Sequence, residues 1–423
     1  TPGRAVLDFV QHRALLMLRG LRYRPRAEED VAPATLRRID ALWAGAMGLV
    51  WADSIRSAAF HGRHTRLALT AGEPTRVVRA LCSEAVYHAA IASRWAQRRG
   101  AHALAAAEAL SSELDTPFAI GLTAVCAGGS AYFAGWFPDG YSHSIRAEKI
   151  LRTQCSGVAW ELTNAHIYTS WSLAHMGDLT RLREIIPDLL RRARERDDLL
   201  DYCCLLAGIP TSMRLLADDE PREVQAAVRE AAASWPTPDF QLPRYFGLVS
   251  ATLADLYGGH PVLAWQRMSD AWPTVRAAGL LHFRLVRVEF QQLLARCAIA
   301  ALANDRSLAA SARRAMRRLV VRSIRRIARE DMPWAAPLAA ALSASIAAAR
   351  NNRTSTEYSL HRAADGFAGA AMGLWAAVAR HQAGLPEGTR WMRDQGIKDP
   401  DRYAEMLIPI RTVTGESRGT LAP

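Results

Sequence analysis

Turn signals recur through the middle of this chain at a nearly constant interval. Turn residues that follow apolar stretches lie 42, 41 and 40 residues apart, at Gly135, Gly177, Asp218 and Gly258. Proline comes three residues after three of them, at Pro138, Pro221 and Pro261. Glycine ends a helix because it accepts left-handed backbone angles, and proline suits the first turn of the next helix. The interval therefore predicts a series of helix pairs.

The predicted fold is all-α. It is a right-handed superhelical array of antiparallel helix pairs, a tetratricopeptide-like solenoid with repeats of about 40 residues. The chain is rich in Ala, Leu and Arg, which favour helix. One pair cannot bury its apolar face alone, so neighbouring pairs must stack. Solenoids mostly bind other macromolecules, and binding is therefore the expected kind of function.

The same signals predict where individual helices begin and end. Gly177 is expected just beyond a helix end, with Asp178 capping the next helix, and Gly135 and Gly258 are expected in equivalent places. Helices are predicted over 54–71, 74–98, 101–115, 117–134 and 355–383. A further helical stretch is predicted over 388–407, interrupted at 396–400.

Composition divides the chain into five expected segments. Because the first residue is Thr1, residues 1–33 are expected to be a helix and linker from an upstream module. The others are N-terminal helical hairpins over 34–135, a helical repeat array over 136–384, a C-terminal helical cap over 385–410 and a disordered tail over 411–423.

Hydropathy and cysteine usage predict the cellular setting. No apolar run reaches the length of about 18 residues that a membrane-spanning helix needs, so no membrane span is expected. The six cysteines form no C-x-x-C pair and lie in apolar helical contexts. Buried free thiols in a reducing cytoplasm explain them best, and the expected location is therefore cytoplasmic.

Positive charge is concentrated in one segment. The chain has 53 basic and 41 acidic residues, a net charge of +12, and all but two of the basic residues are arginines. Residues 307–331 predict an amphipathic helix with one arginine face. Its candidate docking residues for a protein partner are Arg314, Arg318, Arg322, Arg325 and Arg329. One alternative is that the arginine face is solvated and binds no partner. The others are that it binds nucleic acid or anionic lipid.

No catalytic, cofactor-binding or metal-ligating residue is predicted. The sequence has no P-loop, dinucleotide glycine fingerprint, H-E-x-x-H or kinase motif. His61 and His64 would share a helical face, but no carboxylate follows at metal-ligand spacing. Many of the 12 tryptophans fall one or two to a repeat. They predict rings between the helix layers or, alternatively, an aromatic-lined groove.

Several strings, in order along the chain, carry a resemblance to a known family. They lie at residues 36–43, 53–56, 60–64, 69–74, 157–162, 332–335 and 395–400. Over residues 4–409 the chain resembles the C-terminal helical region of large bacterial serine/threonine protein kinases of the myxobacterial and planctomycete type. In that family a kinase domain and an ATPase module precede a tetratricopeptide-like array.

The resemblance implies a sensor or protein-docking region that is not itself an enzyme. Its expected partners are proteins and the upstream kinase and ATPase modules of the same polypeptide, and no cofactor is expected. Three alternatives remain. One is an arginine-rich, nucleic-acid-binding helical solenoid, one is the helical sensor region of an ATPase-type transcriptional regulator, and one is an enzyme with a site hidden in the superhelix groove.

Overall fold

The computed structural model describes residues 2–50, 53–91, 93–236, 240–305 and 307–410, and within these ranges the chain is all-α, as predicted. A lone antiparallel bridge joins Ile91 and Phe283, and short 3-10 turns lie at Glu28–Asp30 and Leu280–His282. The α-helices are α1 (Pro2–Arg19), α2 (Pro33–Leu49), α3 (Ser54–Ala71), α4 (Pro74–Ala90), α5 (Arg94–Leu114), α6 (Pro117–Ala134), α7 (Phe137–Gln154), α8 (Ala159–Met176), α9 (Leu179–Glu195), α10 (Leu199–Ala207), α11 (Ile209–Ala217), α12 (Pro221–Ser234), α13 (Leu242–Tyr257), α14 (Pro261–Ala277), α15 (Arg284–Asn304), α16 (Ala310–Ile327), α17 (Ala335–Ala348), α18 (Arg353–Gly369), α19 (Gly373–Gln382), α20 (Pro386–Asp394) and α21 (Pro400–Leu407).

The helices pack in consecutive antiparallel pairs, and the two members of a pair differ in burial. Helices α4, α6, α8, α11, α13, α15 and α17 also contact one another in series and form an inner row. The alternate helices, such as α5, α7 and α16, pack on the outside of this row. Helix α15 is buried on nearly every side, whereas α16 buries one narrow stripe, Met316, Val320, Ser323 and Ile327. Most of the buried residues of α15 are apolar, but the helix also buries Arg284, Gln292 and Arg296.

Two predicted turns are confirmed. Gly135 and Gly177 directly follow α6 and α8 with left-handed φ angles of 88° and 83°. The carboxylate of Asp178 accepts a hydrogen bond from the backbone amide of Arg181 at 3.1 Å and so caps α9. Glycine at both positions is required because a side chain resists this part of backbone space.

The other two turns are displaced by one residue. The prediction that Gly258 is equivalent to Gly177 was wrong, because Gly258 has a φ of −69° and Gly259 takes the left-handed angle of 77°. Asp218 likewise has a φ of −83°, and Asp219 is left-handed at 59°. In both turns one further residue keeps near-helical angles before the chain reverses. The left-handed positions are therefore 135, 177, 219 and 259.

The predicted boundary between the helices over 74–98 and 101–115 was also wrong. Helix α4 ends earlier, and the Ser93 hydroxyl caps α5 by accepting from the Ala96 amide at 3.0 Å. Gly100 lies inside α5, where a Cβ would meet the Ala85 carbonyl oxygen at 3.1 Å. This glycine therefore permits close packing of α4 on α5 and does not make a turn.

The single helix predicted over 355–383 is two helices, α18 and α19. The chain breaks at Ala371, which adopts a left-handed φ of 56° although alanine is not a turn residue. Beyond the break Met372 is buried and Leu374 packs against Gly177. Tertiary packing therefore sets this break. The interruption predicted at 396–400 is confirmed between α20 and α21, and residues 411–423, the predicted tail, lie outside the described ranges.

The C-terminal helices pack back across the turns of the array. The Lys398 amide donates to the Ala217 carbonyl at 2.9 Å, and the Arg402 Nε donates to the Tyr257 carbonyl at 2.7 Å. Helix α8 also contacts α19, and α6 contacts α15. In an open solenoid each repeat contacts only its neighbours. These long-range contacts make the array more closed than the sequence predicted.

Two apolar stretches pass a test of length and composition for membrane spans, Pro117–Ala134 and Leu199–Ala217. Within the fold 61% and 78% of these stretches are buried, and the second is broken at Gly208 into α10 and α11. Core helices of proteins pass the same test, so these stretches are weak evidence for a membrane span.

Replacing Gly177 with valine is expected to destabilise the protein by about 3 kcal/mol or more, from backbone strain plus overpacking. A Cβ at this position would lie 2.2 Å from the Leu374 Cβ. The matched control is Gly384→Val, since Gly384 has a similar φ of 79° but no atom within 4 Å of its Cβ position. Urea unfolding of both variants measures the difference, and equal losses would contradict the packing role of Gly177.

Candidate ligand-binding cavity

A cavity of about 190 Å³ lies among the inner helices. Its wall is formed by α2, α3, α4, α6, α8, α13 and α15, so residues from the N-terminal hairpins face residues from the middle of the chain. Most of the lining is apolar, and eight of the lining residues carry aromatic rings: Tyr87, Tyr132, Phe133, Trp160, Tyr168, Trp171, Phe246 and Phe283. A concave apolar site with few polar groups is the usual form of a small-molecule site.

The aromatic rings of the wall pack on one another. The Tyr132 ring centroid lies 5.4 Å from that of Phe133 and 5.8 Å from that of Tyr168. Trp171 and Phe246 pack with centroids 5.0 Å apart. Tilted and edge-to-face pairs at these distances are favourable and hold the rings in place. Two groups of packed rings, Tyr132 with Phe133 and Tyr168, and Trp171 with Phe246, therefore form part of the wall.

A glycine makes room for part of this surface. A Cβ at Gly129 on α6 would lie 2.7 Å from the Tyr168 ring, so glycine is needed for the ring to sit there. Among the tryptophans, Trp160 and Trp171 both line the cavity, and Trp171 is also buried. Trp136 does neither, because it is 53% exposed.

A buried charged cluster lies against one side of the cavity. The Glu84 carboxylate on α4 accepts hydrogen bonds from Arg13 and from Nε2 of His88, the latter at 3.2 Å. A second Arg13 nitrogen donates to Nδ1 of His61 at 3.0 Å. The Arg13 guanidinium also covers the Tyr87 ring, 3.4 Å from its centroid. His61 and Tyr87 line the cavity, and Glu84 lies behind them.

Burial fixes the protonation of this cluster. Burial, reinforced by the charge of Arg13, lowers the pKa of His61 to about 3. Because a guanidinium can only donate, the Nδ1 of neutral His61 accepts and its proton lies on Nε2. Burial alone would raise the pKa of Glu84, but Arg13 and the hydrogen bond from His88 hold that pKa well below its ordinary value. The Glu84 carboxylate is therefore compensated by the Arg13 guanidinium, and Nε of Arg99 lies 3.9 Å from its other oxygen.

A second acidic side chain lies elsewhere in the cavity wall. Glu289 on α15 is 13% exposed, and its Oε1 lies 3.3 Å from Nε2 of His175. The His175 ring stacks on Phe137, with centroids 4.3 Å apart and planes 8° from parallel. Glu289 also borders an adjoining cavity of about 70 Å³ that Arg296 lines.

The predicted arginine face is present on α16, away from the cavity. The five candidate docking residues are all exposed, and within the described residues none of them forms an ion pair. They are Arg314, Arg318, Arg322, Arg325 and Arg329. We refer to them as the arginine stripe. The spacing of three or four residues places Arg314, Arg318, Arg322 and Arg325 on one side of α16, opposite the buried stripe that begins at Met316. Arg329 lies in the turn just beyond the end of α16.

The described residues contain no group of three or more His, Cys, Asp and Glu side chains that would hold a metal ion. His64 is fully buried beside the Trp43 ring, at a centroid distance of 5.3 Å, and does not line the cavity. The six cysteines are free thiols, and all except Cys155 are buried.

Sequence patterns did not find the cavity or its charged residues. Arg13, Glu84 and Glu289 lie on three different helices, and no short motif links them. One feature of the sequence could have indicated the cluster. Glu84 lies among apolar residues of an amphipathic helix, and a carboxylate buried there needs a positively charged or hydrogen-bonding partner from another helix. His61 was considered as a metal ligand, but in the structure its Nδ1 accepts a hydrogen bond from Arg13.

No protein-family model matches this chain. A comparison with curated proteins also found no match. The cavity, the charged cluster and the arginine stripe are therefore the grounds for assigning a function.

Lowering the pH from about 7 to about 5 is expected to destabilise the protein, because the unfolded chain then binds protons that folded His61 does not. The pKa of His61 falls from 6.5 in its ordinary state to about 3 in the fold, so stability is lost as pH drops through that window. His61→Gln should reduce the loss by roughly 2 kcal/mol. Urea unfolding at both pH values tests this, with exposed His102→Gln as the control. An unchanged pH dependence in His61→Gln would mean that His61 protonates in the folded state.

Proposed function

We propose that this chain is the ligand-sensing region of a larger signalling polypeptide and that its ligand binds in the central cavity. The main support for this proposal is the composition of the cavity wall. There α2, α3 and α4, from the start of the chain, lie opposite α13 and α15, from its middle. A ligand between them would contact both parts at once. The ligand would bind most tightly to one arrangement of these helices and would shift the population of molecules toward that arrangement.

Binding fits the cavity better than catalysis does. The lining is mostly apolar, and the polar cluster beside it is internally paired, with Glu84 engaged by Arg13 and His88. A general acid or base needs a group that is free to exchange a proton with the substrate. A mostly apolar pocket with a few polar groups instead holds and orients a small molecule.

The resemblance to helical regions of bacterial serine/threonine kinases suggests what the sensor would regulate. In this proposal the tetratricopeptide-like array is a non-catalytic region whose ligand state biases upstream kinase and ATPase modules. Protein partners would dock on the arginine stripe, whose unpaired guanidinium groups suit an acidic surface. Ligand and partner would then influence each other's affinity reciprocally.

The neutral fluorescent probe N-phenyl-1-naphthylamine is expected to bind the isolated chain saturably, with increased fluorescence, because the cavity has an apolar, largely aromatic lining. Ala58 lines the cavity, so Ala58→Phe should fill part of it and weaken probe binding about tenfold or more. Ala233→Phe, at an exposed site on α12, is the matched control. Thermal unfolding of each variant confirms that it is folded. Failure of the probe to bind, or equal binding by folded Ala58→Phe, would overturn the cavity as the ligand site.

Nucleic-acid binding is the second candidate function, and the arginine stripe favours it. Five exposed arginines without ion-pair partners among the described residues, on a chain of net charge +12, offer positive charge that could neutralise phosphate groups. Such binding would be independent of base sequence and would weaken steeply with salt.

Replacing Arg318, Arg322 and Arg325 by glutamine together is expected to reduce the salt dependence of duplex DNA binding. The slope of log affinity against log salt should fall by about two to three, one unit or slightly less for each lost phosphate contact. Fluorescence anisotropy with a short labelled duplex measures the slope.

The control for that experiment removes the same charge from arginines that already have partners. Arg191, Arg194 and Arg353 are exposed and form ion pairs within or between helices, so their triple glutamine variant should change the slope little. The absence of binding to duplex DNA at low salt would remove this second function.

A further inference from the structure

The Glu289 carboxylate stands out among the cavity-lining groups because, among the described residues, no arginine or lysine forms an ion pair with it. Its ion-pair partner among the described residues is His175, at 3.3 Å. Arg296 lines the adjoining cavity and donates to the Leu407 carbonyl at 3.5 Å. The other carboxylate near the cavity, Glu84, has the guanidinium of Arg13 against it. The wall is therefore locally negative at Glu289.

A carboxylate in an apolar wall is costly unless a cation compensates it. The His175 imidazole beside Glu289 lies at ion-pair distance, but its buried Nε2 makes no hydrogen bond. The negative charge of Glu289 adds to the effect of burial in raising the pKa of Tyr132 and of Tyr245, so its field reaches both phenols. An incoming cation would feel the same field at short range.

Aromatic rings around a carboxylate complete the pattern that recognises organic cations. Ring faces attract an ammonium or guanidinium group, and the attraction grows when water is excluded. The fold already makes this contact once at the cavity, where the Arg13 guanidinium covers the Tyr87 ring at 3.4 Å. Tyr132, Phe133 and Phe283 line the same cavity as Glu289.

We propose that the cavity binds an organic cation, an ammonium group carried on an apolar or aromatic body, with the charged group beside Glu289 and the body against the aromatic wall. This inference rests on the proposed sensor function and names its ligand class. A neutral apolar ligand is the contrasting outcome, and it would leave the Glu289 charge without a role in binding.

The test is displacement of N-phenyl-1-naphthylamine by two molecules of nearly the same shape, benzyltrimethylammonium and its uncharged analogue neopentylbenzene. The expected preference of the wild-type chain for the cation is about tenfold. Glu289→Gln should abolish that preference while leaving displacement by neopentylbenzene unchanged. Glu289→Asp, which keeps the charge, should retain part of it.

Glu223→Gln is the matched control, since it removes one exposed carboxylate from α12 and should leave the preference intact. Equal displacement by both competitors in the wild-type chain, or an unchanged preference in folded Glu289→Gln, overturns the cation assignment. If the fluorescent probe itself does not bind, the sensor proposal fails as well, so the two failures are distinguishable.

Discussion

The return of the C-terminal segment across the array is the contact on which the rest of the fold depends. The Arg183 guanidinium on α9 donates to the Gln395 carbonyl at 2.8 Å and to the Gly396 carbonyl at 3.0 Å. The Tyr403 hydroxyl donates to the Met213 carbonyl at 3.1 Å. Lys398 and Arg402 donate to the carbonyls of Ala217 and Tyr257, the last residues of α11 and α13, which have no partner within their own helices. Together these bonds join the C-terminal helices to α9 and to α11 and α13 of the inner row.

Local chemistry was enough to predict most helix ends. Gly177 and Pro221 act through their own backbone preferences, so their effects can be read without knowing the rest of the fold. The failures occur where a distant partner decides the backbone. Ala371 turns because Met372 and Leu374 must be buried, and Gly100 stays helical because α4 approaches it closely. Neither cause is visible in a short window of sequence.

The candidate site was harder to predict than the fold, because its parts come from helices far apart in the chain. The arginine stripe was predictable, since helical spacing alone places its members on one face. The partnership of Arg13 with Glu84, 71 residues away, depends on how α1 packs against α3 and α4. A buried ion pair adds little net stability over an apolar pair of the same size. Removing one member alone is strongly destabilising, because the other charge is then buried without a partner. This cost ties the N-terminal helix to the cavity wall.

The close fit of Leu374 against Gly177 has a consequence for how such a chain changes over evolution. Open helical arrays lengthen or shorten by whole units, because each unit contacts only its neighbours. Here Leu374, Lys398 and Arg402 each meet a particular turn many residues earlier. Insertion or loss of one helix pair between the contacting positions would displace these contacts together. Geometry therefore constrains the number of helix pairs between these joined positions.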